Sequence, residues 1–193
     1  MPSWNKDELP VPCTDPDRLK RDLDEFGYCL VAEALSPTQV AAIRARLEEQ
    51  VAAERALSVN HGNEAHTDAT NSWVSMLINK GEVFREVAVN PKTLALVEHI
   101  LGPEFLLSAT DAHIVRPGGS PMGLHVDQWW LPREAPAGER RQVGIATRKN
   151  IAVGSPDPVE GPIWRPAVCN VIYMISDFTE ANGGTRIVPK SHR

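Results

Sequence analysis

Long apolar runs are missing from this chain. No stretch approaches the roughly 18 consecutive apolar residues that a membrane helix needs, so no membrane partner is expected. Cysteine is scarce too. Cys13, Cys29 and Cys169 are odd in number, far apart and without CxxC spacing, which excludes a disulfide framework or a cysteine-ligated zinc site. They read as reduced packing thiols, which suits a cytoplasmic protein. The polar, acidic N-terminus lacks the basic and apolar regions of a secretory leader, and none is expected. A basic stripe is absent as well. The net charge is −5, and the locally basic stretch 133–149 reads as a solvated loop, so nucleic acid is not expected as a partner.

What the chain has is 193 residues, enough for one domain spanning 1–193 with a full core, and no internal repeat. Sixteen prolines, against a usual share of about 5%, suit short strands and long loops better than a helical bundle. Asp15-Pro16 reads as an N-cap followed by proline at the first helical position. Leu19, Leu23 and Phe26 share the helix face that follows, and Gly27 stops it. Ser36-Pro37-Thr38-Gln39 is a capping box opening a second helix, with Val40, Ile43, Leu47 and Val51 as its apolar stripe. Residues 60–71 read as a loop, and 73–78 as either a strand or a short helix. Asn90-Pro91 opens a further helix with Leu94, Val97 and Leu101 inward. Beyond about residue 104 the pattern changes to strands at 105–115, 168–175 and 185–188, with a long loop over 131–166. Helices over about 14–103 followed by strands define an α+β chain whose second half is an antiparallel sandwich or barrel.

The tripeptide His125-Val126-Asp127 carries the strongest chemical suggestion. It follows the turn Arg116-Pro117-Gly118-Gly119-Ser120-Pro121 at the expected end of a strand. On an extended backbone, residues two apart share a face at roughly 7 Å, so an imidazole and a carboxylate can converge on one metal ion. With a second histidine they would form the 2-His-1-carboxylate triad of non-haem Fe(II) oxygenases. HxD is a weak motif by itself. His66-Thr67-Asp68 is a second copy in a polar loop, and an ordinary surface His-Asp pair is the competing explanation at 125–127.

Three stretches resemble the phytanoyl-CoA dioxygenase family of Fe(II)- and 2-oxoglutarate-dependent oxygenases. Phe26-Gly27-Tyr28-Cys29-Leu30-Val31 with Leu35-Ser36-Pro37-Thr38-Gln39-Val40 resembles its opening strand and helix. Ile114-Val115-Arg116-Pro117-Gly118-Gly119 with Leu124-His125-Val126-Asp127-Gln128 resembles its strand, turn and iron motif. The most specific match is Asp177-Phe178-Thr179-Glu180-Ala181-Asn182-Gly183-Gly184-Thr185-Arg186-Ile187-Val188-Pro189-Lys190-Ser191-His192-Arg193, in which Lys190 stands for the usual glycine.

The resemblance implies a double-stranded β-helix (jelly roll, cupin-like) packed against the N-terminal helices, with His125 and Asp127 as the first two iron ligands. It implies Fe(II) as cofactor, 2-oxoglutarate as co-substrate, and O2 and a small organic or lipid-like molecule as reaction partners. The third ligand and the 2-oxoglutarate-binding arginine of the family lie beyond Arg193, so the chain is expected to be an N-terminal part with an incomplete jelly roll. Asn170 and His113 are candidates to face the co-substrate, and Trp129 and Trp130 to line the substrate mouth. Each has a plainer role as an alternative: a strand-edge amide, a structural histidine, aromatic packing. His192, Arg186 and Arg193 do not match the family's ligand or anchor. Two other readings remain open: a minimal oxygenase using His192 as third ligand, and a non-catalytic jelly-roll binding module.

Overall fold

A computed structural model of the chain describes residues 4–57, 70–125, 127 and 166–192. The first helix, α1 (Pro16–Phe26), starts where the Asp15 carboxylate accepts the Asp17 N–H at 3.0 Å. It ends at Gly27, whose φ of 80° is the left-handed conformation that glycine adopts without a Cβ clash. Helix α2 (Pro37–Ala56) opens with the reciprocal capping box. Gln39 N–H donates to Ser36 Oγ at 3.2 Å, and Ser36 N–H to Gln39 Oε1 at 2.9 Å. Its stripe of Ile43, Leu47 and Val51 is buried as the periodicity requires, and the stripe continues into a buried glutamate, Glu54.

Strand β1 (Ser72–Val74) pairs antiparallel with β2 (Ala112–Ile114), with Trp73 opposite His113 and Val74 opposite Ala112. The ambiguous stretch 73–78 thus divides. It leaves the strand, takes a left-handed step at Met76 (φ 58°) and makes a single 3-10 turn over Leu77–Asn79. Asp111 holds that corner, its carboxylate accepting the Met76 N–H at 2.9 Å. A short helix that the sequence reading did not anticipate, α3 (Glu82–Ala88), follows and buries Phe84. Ile43, Leu47, Val51, Val74, Leu77 and Phe84 form the core, with Ala112, Ile114 and Ile175 packed against it.

Helix α4 (Pro91–Leu101) is capped by Asn90, whose carboxamide accepts the Lys92 N–H at 3.0 Å and donates to Ala34 O at 2.9 Å. Its buried face is Thr93, Leu96 and Val97, a rotation from the expected Leu94, Val97 and Leu101. The cause is tertiary. Tyr173 lies on this side of the helix, its hydroxyl 2.8 Å from Thr93 Oγ1 and donating to Val87 O at 3.2 Å.

The second half departs most from expectation. Of 105–115 only Ala112–Ile114 is strand, and the described residues of 168–175 and 185–188 join no ladder. The described residues therefore do not assemble the jelly roll expected of them; they carry helices and one two-stranded antiparallel sheet. Residues 173–175 attach to the helices instead, through Tyr173 and through the Arg44 guanidinium donating to Ile175 O. Apolar side chains along the expected strands stay exposed, including Leu106, Val171, Ile172, Met174 and Ile187. Lys190, at the position where glycine was the expected residue, has φ 62°, the conformation glycine favours. Its N–H donates to Phe26 O at 2.8 Å, and its ammonium lies 4.9 Å from the Phe26 ring centroid.

The three thiols, distant in sequence, are free, and Cys29 lies within electrostatic reach of the other two. Cys13 bridges to Val31, which sets it beside the Cys29 segment. Burial pushes the Cys29 thiol up to about 11, helped by the charge of Asp22 and by Cys169 and Cys13. A thiol so raised is a poor nucleophile, which fits a packing role for Cys29. The folded protein thus binds the Cys29 proton more tightly than the unfolded chain, whose thiol titrates near 9.0. That stabilisation is complete below about pH 9 and lost as pH rises through about 11. Denaturant midpoints measured across this interval should fall with pH, and Cys29→Ala should flatten part of the fall. Tyr28, Cys169 and Tyr173, all raised chiefly by burial, act in the same direction.

Candidate metal centre

The approach to His125 is built by a tight turn at the end of β2. Gly119 N–H donates to Arg116 O at 2.9 Å, Pro117 occupies the second position and Gly118 the third with φ 83°. This residue order and the positive φ are those of a type II turn. The buried Asn71 clamps it from the start of β1. Its Oδ1 accepts the Arg116 N–H at 3.0 Å and its Nδ2 donates to Ser120 O at 3.2 Å. A Cβ at position 119 would come within 2.0 Å of Asn71 Oδ1, so the second glycine is required by the clamp. In sequence, Asn71 closes a polar, loop-like stretch. An asparagine that serves two backbone groups 45 and 49 residues away leaves no local signature.

His125 and Asp127 come together. Nε2 of His125 lies 3.3 Å from Oδ1 of Asp127, with the two side chains 35% and 44% exposed. Nδ1 of His125 is 2.8 Å from Gly123 O. A carbonyl only accepts, so Nδ1 carries the proton, and in the neutral imidazole Nε2 presents its lone pair. Metal-bound histidines typically donate their second nitrogen to such an oxygen. Two ligands cis on one metal, at about 2.1 Å each, lie roughly 3 Å apart, close to the spacing found here. When the imidazole is protonated, the same two atoms form an ordinary ion pair. The donor set and its spacing therefore fit a divalent metal. The other carboxylate oxygen, Oδ2, accepts a hydrogen bond from Asn170 Nδ2.

The remaining candidates are dispersed. His113 is stacked on Trp73, ring centroids 5.0 Å apart, on the sheet face opposite Ala112 and Ile114. His192 is packed on the end of α1, where a Cβ on Gly27 would meet its Nδ1 at 2.5 Å and its Nε2 lies 3.2 Å from Asp24 O. Arg186 donates to Met122 O at 3.4 Å, tying residues 184–188 to the approach of the motif. Among the described residues, no three His, Cys, Asp or Glu side chains group in a way that could hold a metal. Trp129, Trp130, the second HxD copy at His66 and Asp68, Arg193 and most of the loop 131–166 lie outside the described residues.

The turn at the end of β2 thus leads to a histidine and an aspartate that meet at one point. The phytanoyl-CoA dioxygenase (PhyH) family profile matches residues 23–193, most of the chain, and the chain belongs to that family. It is similar to "Dioxygenase af480" of Aspergillus fumigatus (strain ATCC MYA-4609 / CBS 101355 / FGSC A1100 / Af293), with 25% identity over 194 residues. That alignment takes in 100% of this chain and 54% of the relative, so the chain spans about half the relative's length. No solved structure matches it. No helix among the described residues is long and apolar enough to cross a membrane.

Proposed function

We propose that this chain supplies His125 and Asp127 as two ligands of Fe(II) in a 2-oxoglutarate-dependent dioxygenase that hydroxylates a C–H bond of a small organic or lipid-like substrate. The observation that carries the reading is the His125–Asp127 pair. One imidazole nitrogen is committed to Gly123 O, and the other lies 3.3 Å from a carboxylate oxygen on a half-exposed site. Family membership and the dioxygenase name of the relative support the reaction class. Loaded with iron, such a site supplies oxidation by O2 with 2-oxoglutarate as co-substrate. The third ligand and the 2-oxoglutarate-binding arginine come from outside the described residues.

The chain's own contribution is placement. Asn71 fixes the turn, Gly123 O fixes the imidazole tautomer, and Asn170 holds the carboxylate. Of the other expected site residues, Asn170 is hydrogen-bonded to Asp127 and His113 lies against Trp73, while Trp129 and Trp130, proposed for the substrate mouth, lie outside the described residues. The same reading implies a cupin-like jelly roll, built as one domain on the N-terminal helices, which the described residues do not assemble by themselves.

Mn(II), a redox-silent stand-in for Fe(II), provides the test. Titration of the purified chain, followed by electron paramagnetic resonance, should show one bound equivalent that His125→Ala abolishes. Equal Mn(II) occupancy in the wild type and His125→Ala would overturn the assignment.

A further inference from the structure

Asn170 was expected to face the co-substrate, yet its amide nitrogen hydrogen-bonds Asp127 Oδ2 across 43 residues of sequence. We propose that Asn170 is the positioning residue of the metal motif: by holding Oδ2 it presents Oδ1 of Asp127, and only Oδ1, to the point His125 Nε2 also faces. This inference rests on the reading of His125 and Asp127 as metal ligands.

Three observations converge on it. First, the two carboxylate oxygens have separate partners, Oδ2 with Asn170 and Oδ1 with His125 Nε2 at 3.3 Å. A carboxylate 44% exposed would otherwise rotate freely, and that freedom would be lost on binding. Second, Asn170 is mounted on an anchored support. Three residues on, the Tyr173 hydroxyl is joined to Thr93 and to Val87 O, and two further on, Ile175 packs on the core while its carbonyl accepts from Arg44. Third, the pair mirrors the arrangement at His125, whose free nitrogen is set by Gly123 O. Each ligand thus has one atom committed to an outer partner and one left for the ion, the arrangement that orients ligands in metal sites generally.

The choice of an amide is chemically apt. An arginine or lysine could donate to the same oxygen, but its charge would compete with the cation for Asp127. An aspartate would repel it. A carboxamide donates while leaving the full negative charge to the metal.

The test compares Mn(II) affinity, again by electron paramagnetic resonance, with thermal melting for Asn170→Ala, Asn170→Gln and His125→Ala. Loss of an outer partner should weaken binding about 10–100-fold. Asn170→Ala is expected to show that loss with an unchanged melting temperature, and Asn170→Gln, which keeps the donor on a longer arm, to recover part of it. Wild-type affinity in Asn170→Ala, while His125→Ala abolishes binding, would overturn the positioning role and leave the metal-site reading intact. So would a loss accompanied by a lower melting temperature and not relieved by glutamine. Retained binding in His125→Ala would remove the metal-site reading, and the role of Asn170 with it.

Discussion

Asp127→Ala is expected to lower Mn(II) affinity by more than about 100-fold, beyond the range set by losing an outer partner. The substitution removes the only anionic group paired with His125 in the motif and leaves a single imidazole, which holds a divalent ion poorly. Stability should change little. The side chain is 44% exposed, and surface changes of this kind usually stay within about 0.5 kcal/mol. Asp127→Asn is the sharper variant. The substituted carboxamide can turn its oxygen to the Asn170 N–H and its amino group to the lone pair on His125 Nε2. The apo site would then be fully hydrogen-bonded and as stable as the wild type, yet without affinity for the ion. A calorimetric Mn(II) titration beside a melting curve separates charge from shape, and persistent tight binding in Asp127→Asn would show that the carboxylate is not a ligand.

The second large effect lies in the helical half and concerns folding alone. Glu54 is 8% exposed on α2, and its Oε1 accepts from Lys80 Nζ and from Gln50 Nε2 at 2.9 Å. Gln50 Oε1 in turn accepts from Arg46 Nη2 at 2.7 Å, so the chain of contacts follows one face of the helix to water. Glu54→Ala would leave the Lys80 ammonium, 15% exposed, without its anion. Breaking a buried pair by removing one partner costs about 3–5 kcal/mol, because an uncompensated charge remains. The lower end is expected here, since the lysine stem can carry its head toward solvent. Replacing both partners, Glu54→Leu with Lys80→Met, should be near neutral, because the desolvation cost of both ions disappears along with their attraction. Urea unfolding of the single and double variants gives the comparison. A single-variant loss below about 1 kcal/mol would mean that Lys80 reaches water unaided.

Helix starts were legible in the chain because their causes are local. Asp15, Ser36 and Asn90 each cap the backbone within three residues of themselves, and Gly27 ends α1 because only its own φ is at stake. The turn at Arg116–Gly119 was legible for the same reason: proline and glycine restrict the residues on which they sit. The Ile43, Leu47 and Val51 stripe followed from 3.6-residue periodicity, which is likewise a property of one helix.

The misreadings concern groups whose partners lie far along the chain. Apolar runs at 105–115 and 168–175 look like strands, but a strand exists only where a neighbour completes its hydrogen bonds, and Tyr173 and Ile175 find helices. The face of α4 turned toward Thr93 and Leu96 because Tyr173 arrived there from 80 residues away. Cys13, Cys29 and Cys169 looked unrelated until folding set Cys29 within reach of the other two.

The amino-acid order by itself determined the caps and the tight turn, because each depends on residues a few positions apart; it marked His125 and Asp127 as candidates without fixing their contact. Only the tertiary structure decided that Asn71 clamps the turn, that His192 packs against α1, and that Asn170 holds the Asp127 carboxylate. Those contacts join residues tens to more than a hundred positions apart, and the packing that creates them leaves no periodic or local trace.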